Sequence, residues 1–204
     1  MGTEVSHQLP ESSVNNVVWN LDSLAAEKLV DRAKPSIPLI FVCDDDHPLI
    51  SVLIKVLAFR GYPLENIYNL FPVLPLLDIK SESILKAPIA GQIALTANNL
   101  GKLAEAINKV PLVADRTAFI FDYQLPANVS RGVENGLEAL ESIDILGATK
   151  MIWTAFDQQA RELAGVRNSG IIVVTKHDLP LPSRSSLLGK QLLKIEERAK
   201  LQGT

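Results

Sequence analysis

A single cysteine, Cys43, rules out an intrachain disulfide, and its place inside an apolar run reads as a small buried hydrophobe. Histidine is nearly as scarce. His7, His47 and His177 share no metal-ligand spacing, which argues against a zinc site. Neither common form of glycine-rich phosphate loop occurs, so nucleotide binding is not indicated. The charges almost cancel, 20 Lys and Arg against 23 Asp and Glu, and no stretch concentrates basic residues, so direct nucleic-acid binding is not expected. No apolar run approaches the ~18 residues of a membrane span, and the N-terminus lacks the basic and apolar regions of a secretion signal. These absences lead to the expectation of a cytoplasmic protein that does not engage a membrane.

What is present is apolar. At 47% hydrophobic and 21% charged, 204 residues are enough for one good core, or one core and a small appendage. Residues 1–36 read as an N-terminal extension: a polar stretch, then Val17-Val18-Trp19, then a short helix with Asp22 as N-cap and Leu24, Ala25, Leu29 and Val30 at helical spacing, ended by Pro35. The main domain, 37–204, opens on the stretch around which the chain is organised, IPLIFVCDDDHP at 37–48. Leu39 to Val42 form the continuous apolar run of a strand buried on both faces of a parallel sheet, and it stops abruptly at Asp44, Asp45 and Asp46.

Further along, Pro48 to Gly61 predicts a very apolar helix. Prolines 63, 72, 75 and 88 argue against long regular structure, so 62–91 reads as an insertion. The second strand is expected at Gln92–Ala97 and a helix at Leu100–Val110. Thr117–Phe121 is another buried strand, Gly136–Ile143 a helix, Met151–Trp153 a strand and Asp157–Val166 a helix N-capped by Asp157. Ile171–Val174 is the last strand, and a final helix begins near Ser185 with Leu188, Leu192, Ile195 and Ala199 on one stripe. Alternating strands and helices of this kind make an α/β protein with a doubly wound parallel sheet of five strands.

Four of those strands end in a chemically useful residue: the acidic cluster, Asp122, Thr154 and Lys176. In a parallel sheet all such ends share one edge, where ligands bind, so residues far apart in the chain can meet there. Two carboxylates ~4 Å apart repel by about 4 kcal/mol at an effective dielectric of 20, which a hard divalent cation would offset. An all-oxygen donor set points to Mg²⁺.

These pieces resemble the receiver domains of two-component response regulators. FVCDDDHPLI resembles the metal-binding acidic pair and first helix, FIFDYQLP the phosphoacceptor segment, GLEAL the third helix, MIWTA the switch hydroxyl and VVTK the lysine strand. The steps of 32 residues from Asp122 to Thr154 and 22 from Thr154 to Lys176 are close to those usual in the family. The resemblance implies a flavodoxin-like sheet of order 2-1-3-4-5 with helices on both faces. It implies a phosphoryl group accepted on Asp122 from a phosphohistidine, with Mg²⁺ held by Asp45, Asp46, Asp122 and the backbone carbonyl of Gln124. Lys176 and Thr154 would contact the phosphoryl oxygens. Counting back from Pro48 selects Asp45 and Asp46 as the acidic pair; counting from the strand start selects Asp44 and Asp45. The implied partners are a histidine kinase or a histidine phosphotransfer protein and a downstream protein, with room for a homodimer. The chain departs from the pattern in its insertion, in the long PANVSRGVEN loop after Asp122, in His177 where a proline typically follows the lysine, and in Val173 where an aromatic is common.

Two other readings compete with a stand-alone phosphorylatable receiver. One is a degenerate receiver that docks a partner without being phosphorylated. The other is a haloacid-dehalogenase-type phosphohydrolase with Asp44 as nucleophile in a DxD pair with Asp46; against it, Pro48 stands where a hydroxyl is expected and Asp122 has no role.

Overall fold

The computed structural model describes residues 17–20, 37–44, 46–72, 93–97, 105, 107–108, 112, 114–125, 135–167, 169–176 and 187–202. Their strands are β1 (Val17–Asn20), β2 (Leu39–Cys43), β3 (Ile67–Pro72), β4 (Ile93–Ala97), β5 (Thr117–Phe121), β6 (Thr149–Thr154) and β7 (Ile172–Thr175). The helices are α1 (His47–Phe59), α2 (Gly136–Ser142), α3 (Asp157–Arg167) and α4 (Leu187–Gln202).

All seven strands form one sheet in the order β1-β4-β3-β2-β5-β6-β7, and every pairing is parallel. Its inner five, β3-β2-β5-β6-β7, have the expected flavodoxin-like order 2-1-3-4-5. Three expectations are corrected. The strand beside β2 is Ile67–Pro72, in register Ile40 to Ile67, so the first part of the supposed 62–91 insertion belongs to the sheet. The strand at 93–97 pairs one place further out, on β3. Val17–Asn20, expected only to lead into a helix, adds an outer strand on β4. The helix expected from Asp22 lies outside the described residues, as do 73–92 and most of 100–110.

Alternation along the strands sorts the core into two layers, because successive side chains of a strand point to opposite faces. Ile40, Val42, Ile120, Met151, Trp153 and Val174 pack against α1 (Ile50, Leu53, Ile54, Leu57) and α4 (Leu188, Leu192, Ile195). Leu39, Phe41, Cys43, Phe119, Phe121, Ile152 and Val173 pack against α2 (Leu137, Leu140), α3 (Ala160, Ala164) and Ile107. Every residue of β2 and β5 is buried, as their unbroken apolar runs require. On the second face Phe41 stacks between Tyr68 and Phe119 at ring-centroid distances of 5.2 and 5.1 Å, tying three adjacent strands together.

The helix ends carry the local signals. Asp46 N-caps α1 by accepting from the Leu49 N–H at 3.1 Å, with Pro48 in the first turn. Gly61, at φ +93°, closes its C-terminus, and the Tyr62 N–H returns to the Leu57 carbonyl at 3.1 Å. The Tyr62 hydroxyl and the Arg60 guanidinium then meet Glu196 of α4 at 2.7 and 3.1 Å, which joins the two helices of that face. Among the described residues, no helix is long and apolar enough to cross a membrane.

Candidate phosphoacceptor site

Asp44 follows β2, Asp122 follows β5 and Lys176 follows β7, so all three sit at the C-terminal edge of the sheet. The Asp122 N–H donates to the Cys43 carbonyl at 2.8 Å, which holds the ends of β2 and β5 side by side. The Lys176 Nζ reaches across from the edge strand and bridges both acids, 2.7 Å from Asp44 Oδ2 and 3.2 Å from Asp122 Oδ2. Beneath it lies the Trp153 ring, its centroid 5.4 Å from the amine.

The other oxygen of each carboxylate is engaged as well. Asp44 Oδ1 accepts from the Asp46 N–H at 2.8 Å, and Asp122 Oδ1 accepts from its neighbour's N–H, Tyr123, at 2.7 Å. Thr154, fully buried at the end of β6, stands beside Asp122, where its hydroxyl counters the upward shift of that carboxyl. Its Oγ1 in turn accepts from the Phe156 N–H at 3.2 Å. Charge-assisted bonds of this kind hold a carboxylate in one orientation.

Burial sets the balance of charge. It pushes the Asp44 carboxyl up to about 6, aided by the nearby Asp122 charge and opposed by the Lys176 bond and the Asp46 N–H. Asp122 is raised for the same first reason, against the pull of Lys176, Tyr123 and Thr154. For Lys176, burial favours the neutral amine, but bonds and charges from Asp44 and Asp122 outweigh it and keep the ammonium protonated beyond its usual range.

Asp122 opens into a cavity of about 670 Å³, and Asp46, Gln124, Thr154, Phe156 and Lys176 contribute to its wall. Asp44 does not: its side chain is 0% exposed beneath Lys176. The start of α2 comes back against the end of β5, where Gly136 lies so close that a Cβ there would fall 1.8 Å from the Asp122 carbonyl oxygen. Glycine at 136 is thus a condition of the close approach. Asn135, just before it, N-caps α2 and also borders the cavity.

Asp122, Thr154 and Lys176 therefore come together as their positions at strand ends imply. Asp46 and Gln124 are exposed on the cavity wall, Asp46 with one oxygen engaged in capping α1. Asp45 lies outside the described residues. The acid buried against Lys176 is Asp44, which only the count from the strand start includes. Among the described residues, no three His, Cys, Asp or Glu side chains gather closely enough to hold an ion unaided. The part of Phe156 in the cavity wall was not legible, since nothing in its position after Thr154-Ala155 separates a loop aromatic from one facing a site.

No protein-family model and no curated protein matches the chain. Among solved structures it is similar to the MAR1 ribonuclease of Caenorhabditis elegans, at 14% identity and a TM-score of 0.39, over 80% of this chain and 91% of that one.

Proposed function

We propose that the chain is a receiver-type phosphoacceptor, in which the Asp122 carboxylate takes a phosphoryl group from a phosphohistidine and the protein signals by a change in partner binding. The observation that carries this reading is the single ammonium shared by two strand-end carboxylates, of which only Asp122 borders the open cavity. A carboxylate with that access can attack phosphorus and form an acyl phosphate. Lys176 is placed to follow the added negative charge, and Thr154 has its hydroxyl beside Asp122, from where it can turn to a phosphoryl oxygen.

Mg²⁺ fits the donors present. It binds through one or two carboxylates and keeps several waters, and Asp122, Asp46 and Gln124 offer only oxygen ligands to the cavity besides the Gln124 amide nitrogen. Those residues, with Asp45, would hold it; bound there, it would supply neutralising charge at the transferring group. The buried Asp44 instead fixes Lys176. Its lack of access also speaks against Asp44 as the nucleophile of a phosphohydrolase.

The test is incubation of the purified chain with phosphoramidate, with and without MgCl₂, followed by intact mass. A gain of one phosphoryl group that needs Mg²⁺ and is lost in Asp122→Asn is expected. No gain, or one that persists in Asp122→Asn, would leave the docking-module reading, whose own mark is a partner that binds wild type and Asp122→Asn equally.

A further inference from the structure

Phe156 is a large aromatic that is 48% exposed, although the apolar side chains of the strand before it, Met151, Ile152 and Trp153, are buried. Its backbone is held at both ends. The N–H donates to Thr154 Oγ1 at 3.2 Å, and the carbonyl accepts from the Ala160 N–H at 3.1 Å in the first turn of α3. The ring therefore has a fixed root, yet it stands in the wall of the cavity that contains Asp122, with the uncharged Gln159 and Gln124 also lining that space.

We infer that the Phe156 ring is the contact for the departing imidazole of the phosphodonor, making it a specificity residue for ring-bearing nitrogen–phosphorus donors. This rests on the phosphoacceptor reading above. When Asp122 attacks, its oxygen forms the new bond to phosphorus as the P–N bond breaks. The electron pair of that bond passes to the ring nitrogen, and imidazole leaves neutral because its other nitrogen already carries a proton. In-line displacement puts the leaving nitrogen on the side of phosphorus away from Asp122. Until the P–N bond breaks, that protonated ring is planar and cationic. The face of a phenyl ring attracts such a group through its quadrupole, and stacking orients it. The charged side chains of the described wall, Asp46, Asp122 and Lys176, belong to the phosphoryl end of the reaction, which leaves the aromatic face as the feature suited to a ring.

The experiment compares two donors with the same P–N bond, N-phosphoimidazole and phosphoramidate, on the full chain with MgCl₂, reading the rate of phosphoryl gain by intact mass. The quantity of interest is the ratio of the two rates, in which the donors' intrinsic reactivities cancel between variants. Phe156→Ala and Phe156→Leu are expected to lower this ratio about three- to tenfold, the range aromatic pairing supports, while Phe156→Tyr keeps it. A ratio unmoved in Phe156→Ala, or retained in Phe156→Leu, overturns the inference while leaving the phosphoacceptor reading standing. A wild type labelled by neither donor overturns both.

Discussion

Lys176 is the one described cation in contact with two buried acids, and its removal is the sharpest perturbation of the site. Truncating one member of a buried charge network leaves the others uncompensated, at a cost of about 3–5 kcal/mol. Lys176→Met is therefore expected to lose that much stability in urea unfolding at pH 7. It should lose clearly less at pH 5, where Asp44, pushed up to about 6 by burial, takes up a proton and sheds its repulsion with Asp122. An equal loss at both pH values would mean that the carboxylates are not charged neighbours. Asp44 alone gives a second pH signature. Its folded pKa, about 6, lies above the ordinary value of 3.8, so the folded chain binds more protons than the unfolded chain between the two. The contribution is thus fully present below pH ~4, declines as pH rises through 6 and is flat above, amounting to about 3 kcal/mol over a shift of this size. Measured as the difference between wild type and Asp44→Asn, stability should fall across that window; a difference independent of pH would refute the assignment. The sequence disclosed that Asp122, Thr154 and Lys176 would meet, because each ends an apolar run. It did not disclose which of three adjacent acids turns inward. That choice depends on strand alternation: Val42 and Asp44 lie two apart, on the side that Val174 and Lys176 also share, and the exact last residue of a strand is not marked in an unbroken run.

At the level of elements, α2 and the α1–α4 pair are the parts whose geometry can be tested separately from the chemistry. Gly136→Ala would drive a Cβ into the Asp122 carbonyl, so the loop or α2 must move; about 1–3 kcal/mol of stability should be lost in urea unfolding, the usual cost of overpacking. Little loss would mean that the approach is looser than described. On the opposite face, Tyr62→Phe removes the hydroxyl that donates to Glu196 at 2.7 Å, and a bond to a charged acceptor is worth about 1.5–3 kcal/mol. Burial and that same carboxylate push the Tyr62 phenol far up, so its absorbance should show no phenolate transition before the chain unfolds in base. The helices and central strands were legible from apolar spacing, from Asp46-His47-Pro48 at a helix start and from Gly61 at its end. Strand β3 was not. Its Ile67, Tyr68 and Leu70 look like strand residues, but Asn69 in the middle and Pro72 at the end argue against a buried one, and Asn69 is nonetheless completely buried with neither amide atom hydrogen-bonded. Strand β1 was hidden for another reason: four residues are too few for a period, and only pairing with β4, far along the chain, makes them a strand.

For the whole molecule, the doubly wound sheet explains how Asp44 and Lys176, separated by most of the chain, come within 2.7 Å of each other. Strands β2, β5, β6 and β7 are neighbours in a row, so their C-terminal ends line one edge, while β3, β4 and β1 widen the sheet on the far side without entering the described site. The central claim is that this edge makes Asp122, and not the more deeply buried Asp44, the group that carries phosphate. Borohydride reduces an aspartyl phosphate to homoserine at the residue that bore it, so trapping after reaction with phosphoramidate and MgCl₂, followed by peptide mass mapping, reads the position directly. Homoserine at position 122 is the result expected here; homoserine at position 44, or none in a chain that has been exposed to the donor, would contradict it.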